Sequence, residues 1–312
     1  MARGPGPSDV SHIRVMRRLM SGLDLVHAHS SKAGALTRLA AMTMRRPPPI
    51  IFSPHAWSWH VGGGMSRLYL SIERVLAKQT DVFVAVGERE AAEGRAALPA
   101  GEMVVVPNGV DVEFWAPDGP VAPRPPGPLV VCVGRLSKQK GQDLAIRALA
   151  GMRNADVTLR LLGDGPARDE MQDLADALGV SDRVEFWGSV SDPDRHLRAA
   201  DIVVIPSRWD GMSLALLEAM AVGKAIVATD VAGTEVVGDA GIIVPIEDVP
   251  SLRSAMEELL DEEGHRRQLA IAARQAALRH SLDENLRALI SVWERMIEPR
   301  SVTRPRTPQP TG

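Results

Sequence analysis

Apolar positions in this chain fall into two series of short continuous runs, each run followed by a stretch with helical spacing. The first series is "LDLVHAH" from Leu23, "PIIFS" from Pro49, "DVFVAV" from Asp81 and "EMVVVP" from Glu102. Helix-period stretches separate them, chiefly "AGALTRLAAMTM" from Ala33 and "SRLYLSIERVLAKQ" from Ser66. The second series runs "PLVVCVG" from Pro128, "VTLRLLG" from Val157, "RVEFWG" from Arg183, "DIVVIPS" from Asp201, "AIVATD" from Ala225 and a short "IIVP" from Ile242. Continuous Val/Ile/Leu strands alternating with helices predict parallel sheets covered on both faces, with right-handed crossovers.

Between the two series lies "NGVDVEFWAPDGPVAPRPPGP", from Asn108 to Pro128. It opens on an Asn-Gly turn signal and then crowds prolines, which predicts a connection between domains. The expected organisation is therefore an α/β chain of two doubly wound parallel-sheet domains. They cover residues 1–111 and 129–298, with 112–128 as linker. Helices from about Val249 to Glu298 close the chain and are expected to reach back to the first domain. Residues 299–312, proline-rich, are expected to be disordered. In such sheets ligands bind beyond the carboxyl ends of the strands, so two of them face to face make a cleft.

Three strand ends carry candidate chemistry. In "GRLSKQKGQDLAIRAL", Gly134 ends a strand, Arg135 occupies the loop, and Lys140-Gly141 open a helix. Two cations at a helix N-terminus suit a diphosphate, although a solvated loop with chance basic residues would look the same. Gly163 and Gly165 in "LLGDGPARDEM" permit a tight strand-to-helix turn. In "PSRWDGMSLALLEAMAV", Asp210 precedes Gly211, Met212 and Ser213, whose amides are free at the start of a helix. Every residue after Ser213 is apolar except Glu218, about 8 Å along that helix. A lone carboxylate there needs a partner. It could be a structural Arg or Lys, or sugar hydroxyls.

Together these motifs resemble the retaining GT-B glycosyltransferases of family 4. The resemblance rests on Asp210-x7-Glu218, where the family usually has Glu-x7-Glu, with Gly134-Arg135-Leu136 and Lys140-Gly141. "NGVD" at 108–111, "LVHAHSSKAG" at 25–34 and "SPHAWSW" at 53–59 resemble further landmarks, in the family's order, from residue 24 to about 295. The resemblance implies transfer of a hexose from a UDP- or GDP-sugar to a glycan or lipid-linked acceptor with retention, in polysaccharide or glycoconjugate synthesis. It implies no cofactor, since the nucleotide sugar is a substrate, and no metal. Arg135 and Lys140 would bind and stabilise the leaving diphosphate. Glu218 would accept from the ribose hydroxyls. Asp210, with the amides of Gly211, Met212 and Ser213, would face the hexose and phosphates. His55 resembles the family's histidine near the donor sugar, and Val190 and Asp192 match positions near the base.

Two departures stand out. Asp210 is one methylene shorter than the usual Glu. The chain also starts late: the family's opening strand and glycine-rich loop have no counterpart before "LDLVHAH". That predicts an incomplete N-terminal domain, a truncated or mis-started version of a longer enzyme, with low solubility and little activity. A nucleotide-sugar-binding remnant is then the alternative function.

Composition narrows the remaining classes. A net charge of −3 and 4% aromatics argue against a nucleic-acid partner. One cysteine, Cys132, precludes an internal disulfide, and no apolar run is long enough to span a bilayer. With no secretory signal in the opening residues, a cytoplasmic protein is expected. A peripheral contact at the inner membrane face is expected through Arg67, Arg74 and Lys78, which could equally form a solvated helix face. Asp192-Pro193-Asp194 is a D-x-D that a loop and helix N-cap explain without metal. His27-Ala28-His29 is the one pattern that a metal-dependent hydrolase would use, and a cleft-lining His29 or Ser30 explains it as well.

Overall fold

The computed structural model describes residues 9–61, 65–99 and 101–297; the expectations for residues 1–8 and 299–312 lie outside them. Two all-parallel sheets organise these residues. In the first, β1 (Val26–His29), β2 (Ile50–Ser53), β3 (Val82–Ala85) and β4 (Glu102–Val105) pair in sequential order. In the second, β5 (Leu129–Val133), β6 (Thr158–Leu162), β7 (Val184–Gly188), β8 (Ile202–Ile205), β9 (Ala225–Thr229) and β10 (Gly241–Val244) lie in the order β10-β9-β8-β5-β6-β7. The order reverses at β5, where chain enters this sheet, and a crevice forms at such a switch point.

The strands are where the apolar runs put them. Ile50, Ile51, Phe52 and Phe83 are fully buried in the first sheet, and Leu129, Val130, Val131, Ile202, Val203 and Val204 in the second. Each such side chain contributes on the order of 1.5–3 kcal/mol by leaving water. Three helices, α2 (Ser31–Met42), α3 (Met65–Leu76) and α4 (Glu88–Ala97), connect the first four strands. In the second domain α5 (Gln142–Ala150), α6 (Arg168–Ala177), α7 (Pro193–Ala199) and α8 (Leu214–Ala221) do the same, and α9 (Val249–Asp261), α10 (Glu263–Leu278) and α11 (Leu282–Ile297) follow. A further helix, α1 (Asp9–Met20), precedes β1.

The last helix crosses back to the first sheet. Val292 of α11 is buried with Ile51, Val82, Val84 and Val106, and Trp293 packs beside them. Segment 112–128 forms no helix or strand but is tied down by hydrogen bonds. Arg198 of α7 donates to the carbonyls of Ala116 (2.9 Å) and Phe114 (3.1 Å), and Arg274 of α10 donates to Val112 (3.0 Å). Trp115 and Ala122 anchor it in the core of the second domain.

Candidate active site

The two sheets meet with their carboxyl ends facing, and the sequence-flagged loops converge there. At the end of β5, Gly134 donates to Leu162 (2.9 Å) and Leu136 to Asp164 (3.1 Å), so the two strand-end loops stack backbone on backbone. Gly163 has φ +129, and a Cβ there would sit 2.3 Å from the Gly134 carbonyl oxygen. Only glycine meets both conditions. The helix-opening Gly141 is equally constrained: φ is +68 and its Cβ would lie 2.0 Å from the carbonyl oxygen of Pro206.

Arg135 and Lys140 flank this cradle with different partners. The Arg135 Nη1 is buried with no hydrogen-bond partner among the described residues. Lys140 is paired: its Nζ lies 2.5 Å from Asp210 Oδ2, which also accepts from Ser207 Oγ at 3.4 Å. Asp210, expected to face the donor hexose and phosphates, has one of its oxygens committed to the lysine expected at the diphosphate. The parallel pairing of β5 with β8 brings the two loops together across 70 residues.

Residues not anticipated from the sequence hold this frame. Gln142, fully buried at the start of α5, donates from Nε2 to the carbonyls of Gly134 (3.2 Å) and Arg135 (3.1 Å). Arg208 grips both oxygens of Asp143 at 2.7 Å and Glu247 at 2.7 Å, and donates to the Lys138 carbonyl at 2.9 Å. These bonds push its guanidinium pKa up. The effect is to clamp the Lys140 loop to the Asp210 loop.

The start of α8 is held from both domains. Asn108 Nδ2, in the "NGVD" turn, donates to the Met212 carbonyl at 2.7 Å. Gly211 sits against the first domain, where a Cβ would come 3.1 Å from the Ala56 nitrogen and 3.1 Å from Val86 Cγ2. Met212 is buried in the core, and Ser213 occupies the N-cap position without a side-chain capping bond. Within α8, Glu218 is half-buried and makes no ion pair or hydrogen bond with any described residue. Burial raises its carboxyl pKa. The structural Arg or Lys partner that would explain Glu218 without a ligand is absent among the described residues.

Across the cleft, His55 follows β2 with φ +50, and Ala56 has φ +84. Such backbone costs about 1–3 kcal/mol per residue and is held by its surroundings. The holder is Glu90 of α4, buried, whose carboxylate accepts from the amides of Ala56 (2.6 Å) and Val86 (2.8 Å). The H-x-H pair is not arranged as a chelate. Trp293 Nε1 donates to His27 Nδ1 (3.1 Å), and the other His27 nitrogen meets Ser53 Oγ at 2.9 Å, so both ring nitrogens are engaged. Burial and the neighbouring His29 and His55 push the His27 pKa down to about 3, which keeps the ring neutral.

Val190 packs on the core of the second domain. Asp192 takes the N-cap position of α7 but makes no side-chain cap, contrary to expectation. It faces Arg195 Nη1 at 3.4 Å instead, while Asp194 pairs with Arg198 at 2.5 Å. The two carboxylates of the D-x-D therefore serve separate arginines. A cleft of about 560 Å³ between the domains is lined by Gly87, Pro107, Met212, Glu235 and Arg279 among others. It shares only Met212 with the residues flagged in the sequence.

Two parallel-sheet α/β domains facing across such a cleft define a GT-B glycosyltransferase architecture; the second is doubly wound as expected, whereas the four described strands of the first run in sequential order with no switch point. The fold superposes on that of HepE from Anabaena, solved with UDP-glucose, with a TM-score of 0.79 at 21% identity, covering 93% of this chain and 82% of that one. In sequence, the Glycosyl transferases group 1 profile matches residues 127–262 and the Glycosyltransferase Family 4 profile residues 2–114. The GDP-mannose-dependent α-(1-6)-phosphatidylinositol monomannoside mannosyltransferase of Mycobacterium tuberculosis H37Rv is 30% identical over 281 residues, 82% of this chain and 71% of that one. The D-inositol 3-phosphate glycosyltransferase of Xylanimonas cellulosilytica is 31% identical over 304 residues, 86% and 71% of the two chains. This chain belongs to the group 1, family 4 glycosyltransferases.

Proposed function

We propose that this chain moves a hexose from a UDP- or GDP-sugar to a glycan or lipid-linked acceptor with retention of anomeric configuration. The observation that carries this reading is the unpartnered, half-buried Glu218 on α8, the helix that follows β8, together with the unpartnered Arg135 Nη1 in the loop that follows the neighbouring β5. A half-buried carboxylate and a guanidinium with one buried nitrogen, neither paired among the described residues, suit a ligand with hydroxyls at one end and negative charge at the other. A nucleoside diphosphate sugar has both. HepE binds UDP-glucose, and the mycobacterial relative is named for GDP-mannose, which fits either base.

In this mechanism Glu218 accepts from the ribose hydroxyls. Arg135 and Lys140 stabilise the charge that develops on the diphosphate as the glycosidic bond breaks, usually the largest catalytic contribution. Asp210 holds Lys140 in place and keeps its second oxygen for the hexose. Gly211 brings the start of α8 against His55, so the hexose lies between the two domains.

A thermal-shift series with UDP-glucose and GDP-mannose tests the donor: the correct one raises Tm by mass action. Glu218→Gln should weaken that donor about 10-fold while leaving the ligand-free Tm unchanged or higher, because losing a buried charge relieves its desolvation. If donor affinity is unchanged in Glu218→Gln, the ribose assignment is wrong. A donor that binds without turnover would favour the remnant alternative.

The acceptor side supports a membrane setting. In α3 the turns bury Glu73, while Met65, Leu68, Ile72 and Val75 are all exposed. These four follow i, i+3, i+7, i+10, one stripe of a helix. Arg67, Arg74 and Lys78 border it, and Glu73, the acidic residue of the helix, is turned inward onto Arg38. An apolar stripe with a cationic edge suits an anionic bilayer surface. Co-sedimentation with phosphatidylglycerol vesicles should be strong at low salt, and weaker at high salt or in Leu68→Ser/Ile72→Ser. Equal recovery with and without vesicles rejects the contact, and dimerisation through the stripe would show as a doubled mass by light scattering.

A further inference from the structure

The His29–His55 pair is explained neither by the donor contacts nor by packing. His29 ends β1, and the β1–β2 register sets it opposite Ser53, two residues before His55. His29 Nδ1 lies 2.9 Å from His55 Nε2, and the rings are stacked at 16° with centroids 5.2 Å apart. One nitrogen donates and the other accepts, so each ring dictates the other's tautomer.

The backbone of His55 and its ring are held by different groups. Glu90 fixes the backbone on either side, through the amides of Ala56 and Val86. It does not reach the imidazole, whose hydrogen-bond partner among the described residues is His29. His29 in turn rests against His27, ring centroids 4.0 Å apart. His27 is locked at both nitrogens by Trp293 and Ser53. Trp293 lies on α11, so the last helix of the chain braces the row His27–His29–His55 from behind. Ser30, the residue after His29, has φ +70, and this strain sits beside that at His55.

We propose that His29 is a positioning residue for this glycosyltransferase: it sets the orientation and tautomer of the imidazole of His55, the residue whose backbone packs against Gly211 at the start of α8. This rests on the placement of His55 beside the donor hexose. It also assigns the H-x-H motif a role that uses Nδ1 of His29, which points to a specific isostere test. Asparagine carries an amide near the Nδ1 position of histidine, and glutamine carries one near Nε2.

The test uses the full chain and whichever of UDP-glucose or GDP-mannose raises its Tm, with donor turnover and ¹⁵N spectra of the histidine rings as readouts. His29→Ala should lower kcat about 10- to 100-fold with donor KM nearly unchanged, the signature of lost orientation. His29→Asn should restore most of kcat, and His29→Gln should behave like alanine. Adding His29→Ala to His55→Ala should cost nothing further. The His55 ring nitrogens should shift in His29→Ala and His29→Gln but stay near wild type in His29→Asn, a readout that needs no turnover. Multiplicative loss in the double variant, or an unmoved His55 spectrum in His29→Ala, overturns the proposal. If His55→Ala turns over normally while Arg135→Ala does not, the placement of His55 fails instead, and the spectra still report whether His29 orients it.

Discussion

Arg135→Ala is expected to reduce kcat/KM for sugar transfer about 10²- to 10³-fold, the usual cost of deleting one preorganised group that stabilises developing charge. It is expected to do so without loss of stability. Arg135 Nη1 is buried and unpartnered, so removing the guanidinium removes an uncompensated desolvation cost. Lys140→Ala should show the contrasting pattern. Its loss of activity should be comparable, but it also strips Asp210 of the partner 2.5 Å away and leaves a part-buried carboxylate with Ser207 Oγ, at 3.4 Å, as its remaining partner. That costs about 1–3 kcal/mol. The pair of variants therefore separates two kinds of cation at one site: one that waits for an anion and one that is already held. Steady-state kinetics with the stabilising donor and urea unfolding of each variant measure both quantities. If Arg135→Ala keeps near-wild-type turnover, the diphosphate does not sit against β5. If Lys140→Ala is as stable as the parent, the Lys140–Asp210 bond contributes nothing to the resting fold.

That contrast also shows where sequence reasoning stops. Strands β2, β3, β5, β8 and β9 were legible because a strand buried on both faces is a continuous apolar run, and the less buried β1, β4 and β7 were placed by their alternation with helices. The convergence of the flagged loops at the carboxyl edge followed from topology. Glu218 was legible as an anomaly, a charge in an apolar helix, though not which partner it lacks. The pairing of Lys140 with Asp210 was not legible. The two residues meet only because β5 and β8 are sheet neighbours, and strand order is set by long-range packing. Gln142 gives no pattern at all; a buried amide at a helix start looks like any polar N-terminal residue. Helix α1 was missed although Ile13, Met16 and Met20 follow i, i+3, i+7 and pack with Ala40, Ala41 and Ile50; the opening residues were read only as lacking a secretory signal. The H-x-H motif was visible and was read as a cleft-lining His29 or Ser30 rather than a metal site, but its bracing was not legible, since the tryptophan that engages His27 lies 266 residues away.

Arg38→Met is expected to destabilise the first domain by about 3–5 kcal/mol, the cost of stranding one member of a buried ion pair. Arg38 is completely buried on α2, 2.8 Å from Glu73 Oε2 on α3, and Glu73 is itself 3% exposed. The guanidinium also donates to the Gly34 carbonyl at 3.0 Å and lies 4.0 Å above the Phe52 ring. Its removal leaves a carboxylate in apolar surroundings with Ser58 Oγ, at 3.4 Å, as its remaining partner. Replacing both residues should be far milder, because the desolvation cost of the pair disappears with its attraction. Arg38→Met/Glu73→Leu is thus expected to recover most of the lost stability, and urea unfolding followed by tryptophan fluorescence measures the cycle. A double variant no more stable than Arg38→Met would mean that packing around Arg38, not charge, holds α2 to α3. The consequence for function follows from chain order. Helix α2 begins at Ser31, directly after His29 and Ser30, so loosening α2 loosens the histidine row while the diphosphate cradle of the second sheet stays intact. Arg38→Met should therefore lose turnover while keeping its affinity for the free nucleoside diphosphate. Loss of that affinity as well would show that the two sheets fold as one unit.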